Sequence, residues 1–204
     1  EESGLICGGQ MDVYIDPLES SPHLYLVGGG HVAFHLGRLA STVGFRVHVV
    51  DDREKFASKE RFPEAVETVV NDIPEWLETT EIPPHAYVVI LTRGHRHDLD
   101  ALRALATRSF RYLGLIGSKA KVARLHDALR HEGVEIDAPE RLHAPVGLDI
   151  GAVSPEEISV SILAELIATK YGKIDATDDG TTSSVKVLRW MPAAPDRIVT
   201  SADG

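Results

Sequence analysis

Three small residues with the spacing Gly28-x-Gly30-x-x-Ala33 follow an apolar run over residues 24–27. Gly28 permits a tight turn from a strand into a helix, and Gly30 lets the backbone approach an anionic group. The start of a helix favours negative charge, because its first N–H groups lack partners within the helix. Ala33 allows the helix to pack closely on the strand. The spacing predicts a phosphate-binding turn, and the alternative is a turn without a ligand.

A carboxylate follows the next apolar run at the distance expected for a ribose contact. Residues 45–50 are predicted to form a second strand, and Asp51 lies 21 residues after Gly30. In dinucleotide-binding folds an acidic residue about 20 residues after the glycines binds a ribose hydroxyl. The alternative is a solvated loop carboxylate. Arg53 is expected to pair either with a phosphate or with Asp51 or Asp52.

The segment 92–98, which follows the predicted fourth strand, is rich in titratable groups. His95 is a candidate ligand contact or acid/base group, and Arg93 is a further candidate ligand contact. His95, His97 and Asp98 together are also candidate metal ligands. Loops of this kind often carry polar residues only as helix caps, and Asp98 is predicted as the N-cap of the next helix.

A polar helix start and a lone cysteine supply further candidates. Ser118 is predicted to cap the helix after the fifth strand, where Lys119 would assist an anion at the helix N-terminus. The alternative for Lys119 and Lys121 is a solvated helix face. Flanking glycines expose Cys7, whose thiolate suits a soft metal or nucleophilic attack. A lone cysteine is more often a small buried apolar residue.

Predicted strands and helices alternate along most of the chain. The strands are nearly continuous apolar runs, which is typical of a parallel sheet that helices cover on both faces. We therefore expect an α/β fold with a Rossmann-like doubly wound parallel sheet, whose ligand site lies outside the carboxyl ends of the strands. The predicted strands are 24–27, 45–50, 68–70, 87–91, 112–116 and 141–144, and the predicted helices are 31–43, 73–80, 98–107, 118–132 and 155–171.

Composition limits the classes of partner. The 204 residues carry a formal net charge of -10, which argues against nucleic-acid binding. The sequence has neither a signal-peptide pattern nor an apolar run near the roughly 18 to 20 residues that span a membrane. Cys7 is the single cysteine, so no intramolecular disulfide is expected and a reducing, cytoplasmic location is favoured.

Together these motifs resemble the XdhC/CoxI family, the accessory proteins of xanthine dehydrogenase and related molybdenum hydroxylases. The resemblance covers residues 5 to about 172 and is carried by Cys7-Gly8-Gly9, Gly28–Ala33, Asp51–Arg53, Thr92–His95 with Asp98, Gly114–Ser118 with Lys121, and Ala144–Ala152 with Pro155–Glu157. It implies a chaperone-like maturation factor rather than an enzyme. Such a factor binds molybdenum cofactor, helps its sulfuration and passes it to an apo molybdenum hydroxylase, with a cysteine desulfurase as a further partner.

The resemblance also implies the domain organisation. Residues 1–19 are expected to be the tail end of a small N-terminal domain, with a half-buried strand within residues 5–16. Residues 20–175 are expected to form the Rossmann-like domain, and 176–204 a C-terminal extension with a strand over 185–191. The two end strands are candidate edges for pairing in a homodimer.

We expect the ligand to be the molybdenum cofactor, as molybdopterin or its cytosine dinucleotide form. The expected cofactor-binding residues are Cys7, Gly28, Gly29, Gly30, His31, Asp51, Arg53, Arg93, His95, Ser118, Lys119 and Asp149. A competing hypothesis is an NAD(P)-dependent oxidoreductase in which His95 is the acid/base group. A third is a nucleotide-sensing module that binds nucleotide without turnover.

Overall fold

The computed structural model describes residues 21–136 and 141–174, which form a six-stranded sheet with helices on both faces. The strands are β1 (His23–Val27), β2 (Arg46–Asp51), β3 (Glu67–Val70), β4 (Tyr87–Ile90), β5 (Tyr112–Leu115) and β6 (Leu142–His143). The helices are α1 (His31–Thr42), α2 (Ile73–Thr79), α3 (His95–Leu105), α4 (Lys119–His131) and α5 (Pro155–Lys170), and a short 3-10 helix (Glu54–Phe56) follows β2.

The strand order is β3-β2-β1-β4-β5-β6, and every neighbouring pair is parallel. The order reverses between β1 and β4, where Val27 lies opposite Ile90. This is the arrangement of a doubly wound Rossmann sheet. It confirms the α/β fold class that the apolar runs predict.

Two apolar layers hold the sheet between its helices. On one face the core contains Trp76 of α2, Leu102 of α3 and Leu125 of α4. On the other face it contains Leu36 of α1 and Leu166 of α5. The helices after β1 and β4 therefore lie on opposite faces, so the loops that lead to them separate at the carboxyl ends of these strands.

The start of α5 follows its local sequence. The Ser154 hydroxyl accepts the N–H of Glu157 at 3.2 Å, and the Glu157 carboxylate accepts the N–H of Ser154 at 3.0 Å. Pro155 occupies the first helical position. This capping box satisfies N–H groups that the helix itself leaves unpaired, and the helix begins at residue 155, the predicted start.

The start of α3 corrects one prediction. The helix begins at His95 with Gly94 as its N-cap, so Asp98 is not the cap. Asp98 lies in the first turn and is fully buried, where its carboxylate accepts the Thr92 hydroxyl at 2.7 Å. Contacts with other parts of the chain therefore override its capping preference.

Several predictions concern residues outside the described ranges. They are the role of Cys7, the strand within 5–16 and the strand over 185–191. The domain boundaries also stay predictions. Among the described helices, none combines the length and apolar character needed to cross a bilayer.

Candidate functional site at the carboxyl edge of the sheet

Five polar or glycine-containing loops share the carboxyl edge of the sheet because the strands are parallel. We call this set of loops the carboxyl edge. It comprises residues 28–30 after β1, 52–53 after β2, 91–94 after β4, 116–118 after β5 and 144–151 after β6. The loops after β1 and β4 are adjacent yet lead to opposite faces. Their separation creates the crevice in which ligands bind in this class of fold.

The three consecutive glycines after β1 have different surroundings. Gly28 has a φ of 108°, and a Cβ there would lie 2.6 Å from the carbonyl oxygen of Leu91. A Cβ on Gly29 would overlap the carbonyl oxygen of Phe56. Gly30 has an ordinary φ of -63° and is the N-cap of α1. Among the described residues, no atom beyond its chain neighbours lies within 4 Å of a Cβ on Gly30, and no side chain caps α1. Gly30 therefore borders open space at an uncapped helix N-terminus, and His31 beside it is exposed.

Asp51 anchors this turn from the end of β2. Its Oδ2 accepts the N–H of Gly29 at 2.8 Å, and both carboxylate oxygens accept the Arg53 guanidinium, at 2.8 and 2.9 Å. The backbone N–H of Arg53 also donates to Oδ1 at 3.0 Å. Burial alone would raise the pKa of Asp51, but these donors outweigh it and hold the pKa below its usual range. Arg53 pairs with Asp51, which is one of the two alternatives for it, and the ribose contact of Asp51 stays a prediction.

Arg61 is a second anchor of the turn. Its guanidinium donates to the carbonyl oxygen of Gly29 at 3.2 Å and to that of Gly30 at 3.4 Å. The same group lies 4.7 Å from the ring centre of Phe34, a cation–π distance. Sequence reasoning missed Arg61, because these contacts join residues about thirty positions apart and no local motif indicates them.

The loop after β4 contributes a cation that reaches across β1. The Arg93 guanidinium donates to the Asp52 carboxylate at 2.7 Å. His95 is exposed at the start of α3. The described residues contain no group of three His, Cys, Asp or Glu side chains that could hold a metal. The metal site proposed from His95, His97 and Asp98 is therefore not formed, since Asp98 is turned into the interior.

The loop after β5 is linked through Lys121 to the buried carboxylate of Asp98. Ser118 caps α4 as predicted, with its hydroxyl accepting the N–H of Lys121 at 3.3 Å. The Lys121 ammonium contacts the buried Asp98 carboxylate and donates to the carbonyl oxygen of Ile116 at 3.2 Å. Lys121 is therefore a structural link between α3 and α4 rather than a solvated side chain. Lys119 is exposed.

A buried carboxylate on α5 organises the loop after β6. Glu165 is fully buried and accepts the Tyr112 hydroxyl at 2.6 Å and the N–H of Gly147 at 2.6 Å. Its other oxygen lies 2.8 Å from Nδ1 of His143. The Ser161 hydroxyl also donates to the carbonyl oxygen of Leu148 at 2.6 Å. The available sequence signal for Glu165 was an acidic residue flanked by the apolar residues 162–164 and 166–168, and sequence reasoning missed it.

The loop after β6 borders a cavity of about 390 Å³. Its walls combine apolar groups such as Ile116 and Ile158 with the exposed Asp149. Asp149 therefore lies on the same edge as the glycine turn, but it follows β6, which is three strand positions from β1 in the sheet order.

The predicted site residues that lie within 21–136 and 141–174 fall into two groups. Direct contacts link the loops after β1, β2 and β4, through Asp51 with Gly29 and through Asp52 with Arg93. Ser118, Lys119 and Asp149 lie on the same edge after β5 and β6.

Comparisons with known proteins show the family. The XdhC Rossmann domain matches residues 24–166. The chain is 36% identical over 168 residues to the uncharacterized protein YqeB of Escherichia coli, covering 82% of this chain and 31% of that protein. It is 33% identical over 159 residues to a protein of Bacillus subtilis named as a probable xanthine dehydrogenase subunit, covering 78% of this chain and 46% of that protein.

A crystal structure described as a xanthine dehydrogenase from Bacillus halodurans superposes with a TM-score of 0.68 at 34% sequence identity, covering 77% of this chain and 45% of that one. The chain therefore spans 31% to 46% of the length of these relatives. The family match agrees with the observed sheet order. The chain belongs to the XdhC family, and its residues 24–166 match the Rossmann domain of that family.

Proposed function

We propose that this domain binds molybdenum cofactor at the carboxyl edge and acts as an accessory protein for a xanthine dehydrogenase-type molybdenum hydroxylase. It would aid maturation of the cofactor and its insertion into the apo-enzyme. Membership of the XdhC family carries this proposal, together with relatives whose names refer to xanthine dehydrogenase. A cysteine desulfurase as second partner and a homodimer belong to the same proposal.

The glycine turn fits the charged end of such a ligand. Molybdopterin ends in a phosphate, and its cytosine dinucleotide form contains a diphosphate. Gly30 leaves room for an anion beside the uncapped N-terminus of α1, where free N–H groups and the helix dipole favour negative charge. When bound, the cofactor would supply the redox centre that the hydroxylase needs, while Gly30, Arg93 and neighbouring groups would hold its phosphate.

Calorimetric titration of the purified chain tests this function. We expect a molybdenum cofactor form to bind more tightly than NAD or NADP. Gly30→Val should weaken that binding at least about tenfold, because the added side chain fills the open space at the turn. Cys7→Ser tests whether the thiolate adds to the affinity.

Binding of NAD alone would contradict the proposal. The observed sheet order is that of dinucleotide-binding folds, so this result would favour the oxidoreductase or the nucleotide sensor. Hydride transfer that depends on His95 would then favour the oxidoreductase hypothesis, and nucleotide binding without turnover would favour the sensor hypothesis.

A further inference from the structure

Three aspartates in or beside the carboxyl edge each pair with a cation. The pairs are Asp51 with Arg53, Asp98 with Lys121 and Asp52 with Arg93, and Asp52 also lies 3.5 Å from Nε of Arg53. The first two aspartates are enclosed, with side chains 2% and 0% exposed. Asp52 and Arg93 are accessible, at 31% and 51%. Of these three pairs, only Asp52–Arg93 is open enough for a ligand to replace one partner.

The Asp52–Arg93 pair also crosses the crevice. Asp52 follows β2 and Arg93 follows β4, and β1 lies between these strands. Since strands are spaced about 4.8 Å apart, the two backbones are separated by about two spacings and the side chains must meet near the end of β1. The neighbouring Asp51 touches Gly29, which places Asp52 next to the glycine turn.

The Asp52 carboxylate therefore occupies the Arg93 guanidinium beside the glycine turn, where an anionic ligand would bind. Exposed ion pairs contribute little net free energy, so a ligand with two negative phosphate groups can displace a single carboxylate. Arginine suits this exchange because its planar guanidinium binds carboxylate and phosphate with the same geometry.

We propose that Arg93 binds the diphosphate of a nucleotide-type ligand and that Asp52 is its internal competitor, which the ligand displaces. This inference rests on the proposed function in that the dinucleotide form of the cofactor carries such a diphosphate. Asp52 thereby lowers the affinity of the site for phosphate compounds, and only ligands with further contacts overcome the competition.

The test is binding of inorganic pyrophosphate to the purified chain at about 0.1 M ionic strength. Asp52→Asn should bind pyrophosphate about 3- to 10-fold more tightly, and Arg93→Gln about tenfold more weakly. In the double variant the gain from Asp52→Asn should fall below about twofold, since Arg93 is gone and the guanidinium of Arg53 stays bound to Asp51. Asp100→Asn is the matched control, because Asp100 also pairs with an exposed arginine, Arg103. It changes the net charge equally and should leave the affinity unchanged.

The inference is overturned if no variant binds pyrophosphate, if Asp52→Asn equals Asp100→Asn, or if its gain persists without Arg93. The outcomes also separate this inference from the proposed function. If the variants show the expected pyrophosphate affinities but the protein does not bind molybdenum cofactor, the proposed function is refuted and this inference stands. Cofactor binding with no gain from Asp52→Asn would sink this inference alone.

Discussion

Neighbouring glycines in the turn after β1 meet different physical demands. Gly29 is needed because the chain after β2 packs against it, where a Cβ would overlap the Phe56 carbonyl oxygen. Gly30 has no such neighbour among the described residues and adopts a backbone conformation open to any residue. The fold therefore does not demand glycine at position 30, which fits the proposed close approach of a ligand there.

Replacing Gly30 with serine should separate stability from binding. The backbone at Gly30 is extended, as an N-cap requires, and serine is a better cap than glycine by a few tenths of a kcal/mol. We expect Gly30→Ser to unfold at an equal or higher urea concentration than the parent. Its hydroxyl should compete for the free N–H groups, so affinity for the molybdenum cofactor in calorimetry should fall about tenfold.

Gly29→Ala is the contrasting variant. Because a Cβ there overlaps backbone rather than a flexible side chain, we expect a loss of about 2 kcal/mol or more in the free energy of unfolding. A stable Gly29→Ala protein, or a Gly30→Ser protein that is destabilised, would contradict this division of roles.

Sequence reasoning at the residue scale succeeded where the signal was local. The glycine spacing placed the turn correctly, since it reflects a backbone geometry fixed over six residues. The pairing of Arg53 with Asp51 was one of two open alternatives, and only the structure chose between them. Arg61 was missed because its role depends on the chain returning to the turn from a distant position.

At the scale of elements, Glu165 ties α5 to the strands and the loop beside it. Its carboxylate accepts the hydroxyl of Tyr112 from β5 and the N–H of Gly147 from the loop after β6. The other carboxylate oxygen lies within hydrogen-bond distance of Nδ1 of His143 from β6. A buried carboxylate is tolerated when several donors compensate for the lost hydration. The network therefore fixes the loop that borders the 390 Å³ cavity.

Glu165→Gln should destabilise the protein. The amide retains one acceptor oxygen but turns an NH2 group towards remaining donors, which leaves buried partners unsatisfied. We expect a loss of about 2 to 3 kcal/mol in the free energy of unfolding, measured with urea. Glu156→Gln, an exposed position on the same helix, should change stability much less. Equal effects of the two substitutions would refute the role of the network.

The same carboxylate should make stability depend on pH. Burial alone would raise the pKa of Glu165, but hydrogen bonds from His143, Tyr112 and Gly147 outweigh burial and hold the pKa below the ordinary 4.5. As pH falls, Glu165 therefore becomes protonated at a higher pH in the unfolded chain than in the folded protein. The stabilisation is complete above pH 4.5 and is lost as pH falls through the lower folded pKa.

Urea unfolding at a series of pH values checks this dependence. The difference in stability between the parent and Glu165→Gln should be constant near neutral pH and shrink below the unfolded pKa of 4.5. A difference that stays constant through the acidic range would show that the charge of Glu165 does not stabilise the fold.

Element boundaries were predictable where caps are local. The start of α5 was predicted at residue 155, and the structure places it there because the capping box and Pro155 are adjacent in sequence. The start of α3 was predicted at Asp98, but the helix begins three residues earlier, at His95. Asp98 does not cap it because its buried carboxylate binds Thr92 and Lys121 instead. Capping preference is a weak local signal that such contacts can override.

At the scale of the whole molecule, the sheet order explains why the candidate groups meet. Residues from five loops are distant in sequence, yet parallel strands bring them to one edge, and the reversal between β1 and β4 opens the crevice. Alternating apolar runs were enough to predict this architecture. They do not encode which ligand fills the crevice, because fold and function are separable.

The most direct test of the central claim is an amide NMR titration of the isotope-labelled chain with molybdenum cofactor. Binding at the carboxyl edge predicts shifts in the amide signals of residues 28–32, Asp52 and Arg93, with little change around the distant Arg103–Glu132 ion pair. Saturable shifts confined to those residues would support the account. No shifts, or shifts centred on another surface, would contradict it.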